Sequence, residues 1–150
     1  MADDLIFLMG KYEARLPWGL GYARNHMWCR PEDRCFGFTG YAVRLMQDVY
    51  FLDWTQSDGA AVQEYQQIGH IETSKAVSDL FAPTTGTIAA FNRELLNDPT
   101  PINTDTYGAG WLFELQGDGP LMTAVEYQAF LVEHWVKAQR LLKGQVNLEA

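Results

Sequence analysis

The chain has 150 residues, a formal net charge of −8 and 47% hydrophobic residues, with five Trp, seven Tyr and eight Phe. That length and aromatic content suit one domain with a real core and exclude a disordered chain. The acidic balance argues against nucleic acid or an anionic membrane as partner, and no apolar run nears the roughly 20 residues of a membrane helix.

The opening Met1-Ala-Asp-Asp-Leu-Ile-Phe-Leu-Met-Gly10 is acidic, with an apolar centre only from Leu5 to Met9, and so does not read as a signal peptide. A monomer in the cytoplasm is the expectation. Leu5–Met9 reads as a short strand or helical turn, and Pro17–Gly21 as loop. From Trp28 to Phe38 aromatic and polar residues alternate around Pro31-Glu-Asp33, the pattern of a hairpin. Cys29 and Cys35 flank that turn symmetrically, which predicts that they face each other across it. Two cysteines are too few for a disulfide framework, and free thiols are the plainer expectation.

Thr39–Gln47 reads as one or two helical turns burying Tyr41, Leu45 and Met46. Asp48–Trp54 is β-branched and aromatic, hence a strand, ended by the turn signal Ser57-Asp-Gly59. Val62, Ile68 and Ile71 lead into a hairpin that Val77, Leu80 and Phe81 leave. Pro83-Thr-Thr-Gly86 is a turn, Thr87–Phe91 a strand, and Asn92–Tyr107 mostly loop with a helical turn at Glu94–Leu96. A last strand is expected at Gly110–Leu115, stopped by Gly117-Asp-Gly-Pro120. Thr123-Ala-Val-Glu126 has capping-box spacing. Beyond it Tyr127, Phe130, Leu131, Trp135, Ala138, Leu141 and Leu142 recur every three or four residues, the stripe of a helix packed on its own core, and Gly144 is placed to stop it. Many short strands with Gly and Pro turns plus a terminal helix predict a mainly β protein, a small barrel or sandwich with peripheral helices.

The three histidines, His26, His70 and His134, lie in unrelated elements without metal-ligand spacing, Gly108-Ala-Gly110 lacks the rest of a phosphate loop, and no serine sits in a nucleophile elbow. The residues offer no intrinsic catalyst. Of four lysines, Lys11, Lys75, Lys137 and Lys143, only Lys75 lies between two strand-like runs, with Glu72 three residues before it and Asp79 four after. Such a lysine is either a solvated turn residue or the anchor of a covalent cofactor.

Gly59-x-x-Val62, Ile68-x-x-Ile71-x-x-x-Lys75-Ala-Val77-x-x-Leu80 and Gly86-x-Ile88 resemble the attachment motif of lipoyl domains. His26-x-Trp28, Gly37-Phe-Thr-x-Tyr41-Ala, Glu72-x-x-Lys75-Ala-Val-Ser-Asp79-Leu, Pro83-x-x-Gly86, Asn103-x-Asp-x-Tyr107-Gly-x-Gly-Trp111 and Tyr127-x-x-Phe130-Leu are similar to the H protein of the glycine cleavage system. The resemblance implies a lipoyl-type barrel-sandwich (hammerhead) fold over 22–120, a preceding extension over 1–21 and a C-terminal helix over 121–150. It implies lipoate in amide linkage to Lys75, with Glu72, Asp79, His26 and Met27 as the other site residues. Such an arm is on the order of 14 Å long, and its dithiolane, held far from the relaxed C–S–S–C dihedral, opens readily to thiols or carbanions. The chain would then be a non-catalytic carrier, loaded by a lipoate–protein ligase or another lipoyl-attachment enzyme.

One departure bears on the cargo. H proteins usually carry a glutamate between the His and Trp of the first motif, and here that position is Met27, which removes a charge partner for a protonated amine. Together with the extensions at both ends, this resembles the lipoate-binding proteins of sulfur oxidation. The expectation is therefore a carrier of sulfur-bound intermediates serving a heterodisulfide-reductase-like complex. The alternatives are a glycine cleavage H protein carrying the aminomethyl group, with glycine cleavage enzymes as partners, and an unmodified scaffold or regulatory module.

Overall fold

A computed structural model describes the backbone of residues 4–149 and the side chains of residues 4–137. The chain opens with a hairpin, β1 (Leu5–Met9) and β2 (Tyr12–Leu16), that turns at Gly10 in the left-handed region (φ +64). Then come β3 (Gly21–Tyr22), β4 (Met27–Arg30), β5 (Cys35–Phe38), α1 (Gly40–Met46), β6 (Val49–Trp54), β7 (Ala61–Val62), β8 (Gln67–Thr73) and β9 (Val77–Phe81). The second half holds β10 (Gly86–Phe91), α2 (Glu94–Asn97), α3 (Pro101–Thr104), β11 (Phe113–Gln116) and α4 (Ala124–Glu149). Besides the hairpin there are two antiparallel sheets, one of six strands in the order β3-β4-β5-β11-β10-β7 and one of three in the order β6-β8-β9.

The mainly β architecture with a terminal helix is as the sequence predicts. The six-stranded sheet is covered on both faces, which explains why β4 and β5 read as nearly unbroken apolar runs. On one face Met27, Cys29, Phe36 and Ile88 meet Leu52, Ile68, Ile71 and Leu80 of the three-stranded sheet. On the other, Tyr22, Trp28 and Cys35 meet Phe7, Ala14 and Leu16 of the opening hairpin and Tyr127 and Leu131 of α4. Residues 5–16 therefore form a packed element of the second core, where a single short segment was expected. Gly37 makes room for Trp28: an added Cβ there would lie 2.6 Å from the indole.

α4 starts with the predicted capping box. Thr123 N–H donates to Glu126 Oε1 (2.9 Å) and Glu126 N–H to Thr123 Oγ1 (3.2 Å). The helix runs through Gly144 to Glu149. Glycine inside a helix costs only about 1 kcal/mol relative to alanine, so its presence does not end one. Ala138, Leu141 and Leu142 of the expected stripe have side chains outside the described residues. No helix among the described residues is long and apolar enough to cross a membrane.

Three further expectations need correction. The Trp28–Phe38 hairpin turns over four residues, with Arg34 in the left-handed region (φ +56), so Arg30 pairs with Cys35 and Cys29 with Phe36. A register one residue from the symmetric one puts the two thiols on opposite faces of the sheet, and both are free. Leu45 is 46% exposed, because α1 is short and buries only its first turn, Gly40–Ala42. The last strand begins at Phe113, since Gly110 and Trp111 still belong to the turn held by Asp105: its carbonyl accepts from Gly108 and Gly110 N–H (3.0 and 2.9 Å).

Candidate functional site

β8 and β9 pair from Gln67↔Phe81 to Glu72↔Val77, and residues 73–76 close the hairpin with Lys75 at its tip. Every backbone N–H of the tip has a partner. Thr73 N–H donates to Ala76 O (3.0 Å), and Ser74 N–H to Asp48 O across the sheet (2.9 Å). Thr73 Oγ1 accepts from Lys75 N–H (3.1 Å) and Ala76 N–H (3.3 Å), while its own hydrogen points to Ala76 O (3.3 Å). Ser74 Oγ accepts from Asp48 N–H (3.2 Å), returning the bond its own N–H makes. The tip is thus tied down while the Lys75 side chain lies in solvent, and none of the ion pairs among the described residues uses Nζ. A fixed base and a free amine are what a tethered arm requires, and the residues present fit a covalent acyl group there. Sequence reasoning missed Thr73 and Ser74. A serine or threonine just before a turn residue is the available signal, since their hydroxyls bond the backbone one to three positions on.

The other predicted residues divide. His26, Met27 and Asp79 come together around a cleft of about 220 Å³ between the β4–α1 corner and the edge strand β9, with Leu45, Met46 and Phe81 at its rim. Lys75 lies three residues before Ser78 of that cleft, on the order of 10 Å at strand spacing. Met27 is only 1% exposed and forms part of both the cleft and the first core. Asp79 is exposed at the cleft edge, where its Oδ1 is 3.1 Å from His70 Nδ1 and 3.2 Å from Gln67 Nε2. Glu72 is not in the cleft. It lies on the outer face of the three-stranded sheet, between Phe51 on β6 and Val77 on β9.

His26 is held from behind. It adopts a left-handed backbone (φ +69), and its Nδ1 is 2.9 Å from the Tyr127 hydroxyl of α4. Its ring packs against Tyr41 and Phe130 at 4.8 and 5.9 Å. Burial, and then the nearby His134, push its pKa down to about 4, so the imidazole is neutral at physiological pH. The Tyr127 hydroxyl also meets Thr39 Oγ1 (2.9 Å), which caps α1 by accepting from Ala42 N–H (3.3 Å).

A lysine-tipped hairpin on a two-sheet core defines a lipoyl-type barrel-sandwich fold, and comparison with solved structures agrees. A glycine cleavage system H protein from Mycobacterium marinum superimposes with a TM-score of 0.66 at 34% identity, over 76% of this chain and 97% of that one. The family model described as glycine cleavage H-protein matches residues 20–134. The chain belongs to that family. A glycine cleavage system H protein from Myxococcus xanthus is 37% identical over 123 residues, covering 77% of this chain and 95% of its own length. A probable glycine cleavage system H protein from Natronomonas pharaonis is 38% identical over 114 residues, covering 72% of this chain and 90% of its own length. The cofactor of this family is lipoate, attached covalently to a lysine.

These relatives overturn the sulfur-oxidation expectation and, with it, the heterodisulfide-reductase-like partner. The relatives are glycine cleavage H proteins, and the family model runs through Met27. A methionine at that position is therefore a substitution inside the family. Its burial gives the physical reason that it is a poor marker of cargo, because the side chain also fills the first core.

Proposed function

We propose that Lys75 is the lipoylated residue and that the chain is the non-catalytic carrier of a glycine cleavage system, working among its enzymes in the cytoplasm. The observation that supports this best is the tip itself, where every N–H from Thr73 to Ala76 is bonded and the Lys75 amine is left in solvent. When bound, lipoate supplies a ring disulfide that opens to take up the aminomethyl fragment of glycine. The chain's own residues hold and shelter. Thr73 and Ser74 fix the base of the arm. Met27, Leu45, Met46 and Phe81 offer apolar wall that keeps water from a group lying along β9. Asp79 is the one carboxylate lining that cleft, at its edge, with its Oδ1 turned to His70 and Gln67 on the outer face of the sheet.

The test is intact-mass measurement after co-expression with a lipoate–protein ligase. One lipoyl group is expected on the wild-type chain and none on Lys75→Arg. The loaded chain should then support glycine–bicarbonate exchange by the pyridoxal-dependent decarboxylating enzyme. A wild-type chain that stays unmodified would leave the scaffold reading in possession.

A further inference from the structure

α4 buries one face and leaves the opposite one apolar. Ala124, Tyr127 and Leu131 face the second core. Val125, Ala129, Val132 and Val136, spaced four, three and four residues apart, run along the far side, with Val125 55% exposed, Val132 52% and Val136 39%. Helix propensity does not account for them, because valine is a poorer helix former than the Lys, Glu or Gln that suit a solvated face. Two apolar grooves border the stripe. One, of about 350 Å³, lies between Val132, Trp135 and Val136 and the β1 residues Phe7 and Leu8, of which Leu8 is 58% exposed. The other, an open groove of about 650 Å³, sets Val125 beside Leu20 and Leu121. β1 and the turns of α4 beyond residue 134 lie outside the stretch that the family model matches.

Charge along α4 is divided. Its acids Glu126 and Glu133 precede its bases Lys137, Arg140 and Lys143, with Glu149 alone at the last position. Three acids and three bases leave the helix neutral in a chain of net charge −8. We propose that this face is a self-association surface, on which α4 packs antiparallel against α4 of a second copy across a two-fold axis. The protein is then a homodimer, in place of the monomer expected from the sequence.

Charge selects the occupant and its direction. Exposed apolar side chains grouped on one face mark contact sites. Two copies of so acidic a chain repel over most of their surface, and a neutral helix is where they can meet. Antiparallel packing sets the acidic half of each α4 against the basic half of the other, whereas parallel packing sets like against like. Size is sufficient. α4 has 26 residues, which is about 39 Å, and with β1 beside it the face is about 15 Å wide. That is on the order of 600 Å² per copy, at the lower end of a standard stable interface. Position leaves the carrier role open. α4 covers one face of the six-stranded sheet and the three-stranded sheet with the Lys75 hairpin covers the other, so both tips of the dimer lie away from the contact. Acylation of Lys75 plays no part in the pairing.

The test is sedimentation equilibrium of the full chain, without lipoate, from about 1 to about 100 μM, the range suited to an interface of this size. A mass twice the 17.0 kDa of one chain is expected at the upper end. Val132→Glu should raise the dimer Kd at least about a hundredfold, because a two-fold contact meets each substitution twice. The position is exposed, so melting of the dilute chain should match wild type, and a variant that melts early is replaced by Val136→Gln, which keeps a good helix former. Lys137→Glu/Arg140→Glu should raise Kd about tenfold, and added salt should raise it for wild type. A wild-type chain that stays monomeric at about 100 μM overturns the pairing. If α4 amides of that monomer slow their hydrogen exchange only when a glycine cleavage enzyme is added, the stripe belongs to that enzyme. A dimer left intact by Val132→Glu and Val136→Gln places the contact elsewhere and overturns the assignment. A dimer broken by them but unchanged by Lys137→Glu/Arg140→Glu overturns the antiparallel arrangement.

Discussion

Tyr127 reaches back 101 positions to place its hydroxyl 2.9 Å from His26 Nδ1. The same oxygen meets Thr39 Oγ1, so one phenol joins α4, the entry to β4 and the cap of α1. His26 also lines the cleft beside Lys75's hairpin. The seating of the C-terminal helix and the wall of the cleft thus depend on one side chain.

Tyr127→Phe should keep the stack on Tyr22, whose ring centroid lies 4.7 Å away at 4°, and lose the hydroxyl. It leaves buried partners short of a bond, so a loss of about 1–3 kcal/mol in denaturant unfolding is expected. A loss well below that range would show that the hydroxyl network contributes little.

The same cluster makes stability depend on pH. His26 has a pKa near 4 when folded, against an ordinary 6.5. The unfolded chain therefore binds more protons between those values, and stability rises with pH across them. The contribution is full above about 6.5 and is lost as pH falls toward 4. Denaturant midpoints should fall over this window for wild type and fall less for His26→Asn, which cannot titrate and tolerates the left-handed backbone.

The cysteines should be inert. Burial pushes Cys29 up to about 11 and Cys35 up to about 12, so neither supplies thiolate near neutral pH. Iodoacetamide should leave the native chain's mass unchanged and add two groups in denaturant. An oxidant should form no intramolecular disulfide while the fold is intact, because the thiols occupy opposite faces.

Thr73→Val keeps the branched shape and removes the oxygen that accepts from Lys75 and Ala76 N–H. Hydrogen exchange at those two amides should speed up by about tenfold, in line with the loss of roughly 1 kcal/mol of local bonding. Global stability should change little, since the tip is exposed. Unchanged exchange would mean that the tip is held by the sheet alone.

Gly37→Ala should be costly for a different reason. Its Cβ would fall 2.6 Å from Trp28, which is fully buried and whose Nε1 donates to Thr106 O (3.1 Å). Moving that ring displaces packing on the second core, and a loss of about 1–3 kcal/mol follows for overpacking of this kind. Thermal melting is the measurement.

Much of this was legible in the chain. The lysine between two strand-like runs, the capping box at Thr123 and the interrupted apolar segments follow from local rules that the structure obeys. What escaped depends on single-residue choices that tertiary context makes. A left-handed Arg34 shifts one hairpin by a residue and separates two cysteines that symmetry had paired. Leu45 has helical spacing with buried neighbours but sits in the last turn of a helix too short to bury it. The cleft joins residues 26–27 to residue 79, a distance in sequence that no periodicity reports. The reading of cargo from Met27 failed for a related reason: a position that belongs to a core and lines a cleft at once changes identity without announcing which of the two has changed.

The opening hairpin shows how far the protein extends beyond what its family shares. Residues 5–16 lie ahead of the stretch matched by the family model, which begins at residue 20. Yet Ala14 and Leu16 are fully buried, Phe7 packs edge-on against Tyr41 and Trp135, and Gln128 of α4 donates to Ile6 O (2.8 Å). Tyr107, from one of the family's own motifs, donates its hydroxyl to Arg15 O and accepts from Gly40 N–H. The cooperative unit that unfolds is therefore longer than the homologous one. A chain begun at residue 20 would turn the faces of Tyr41 and Trp135 that Phe7 covers to water, and would be a different, stickier molecule.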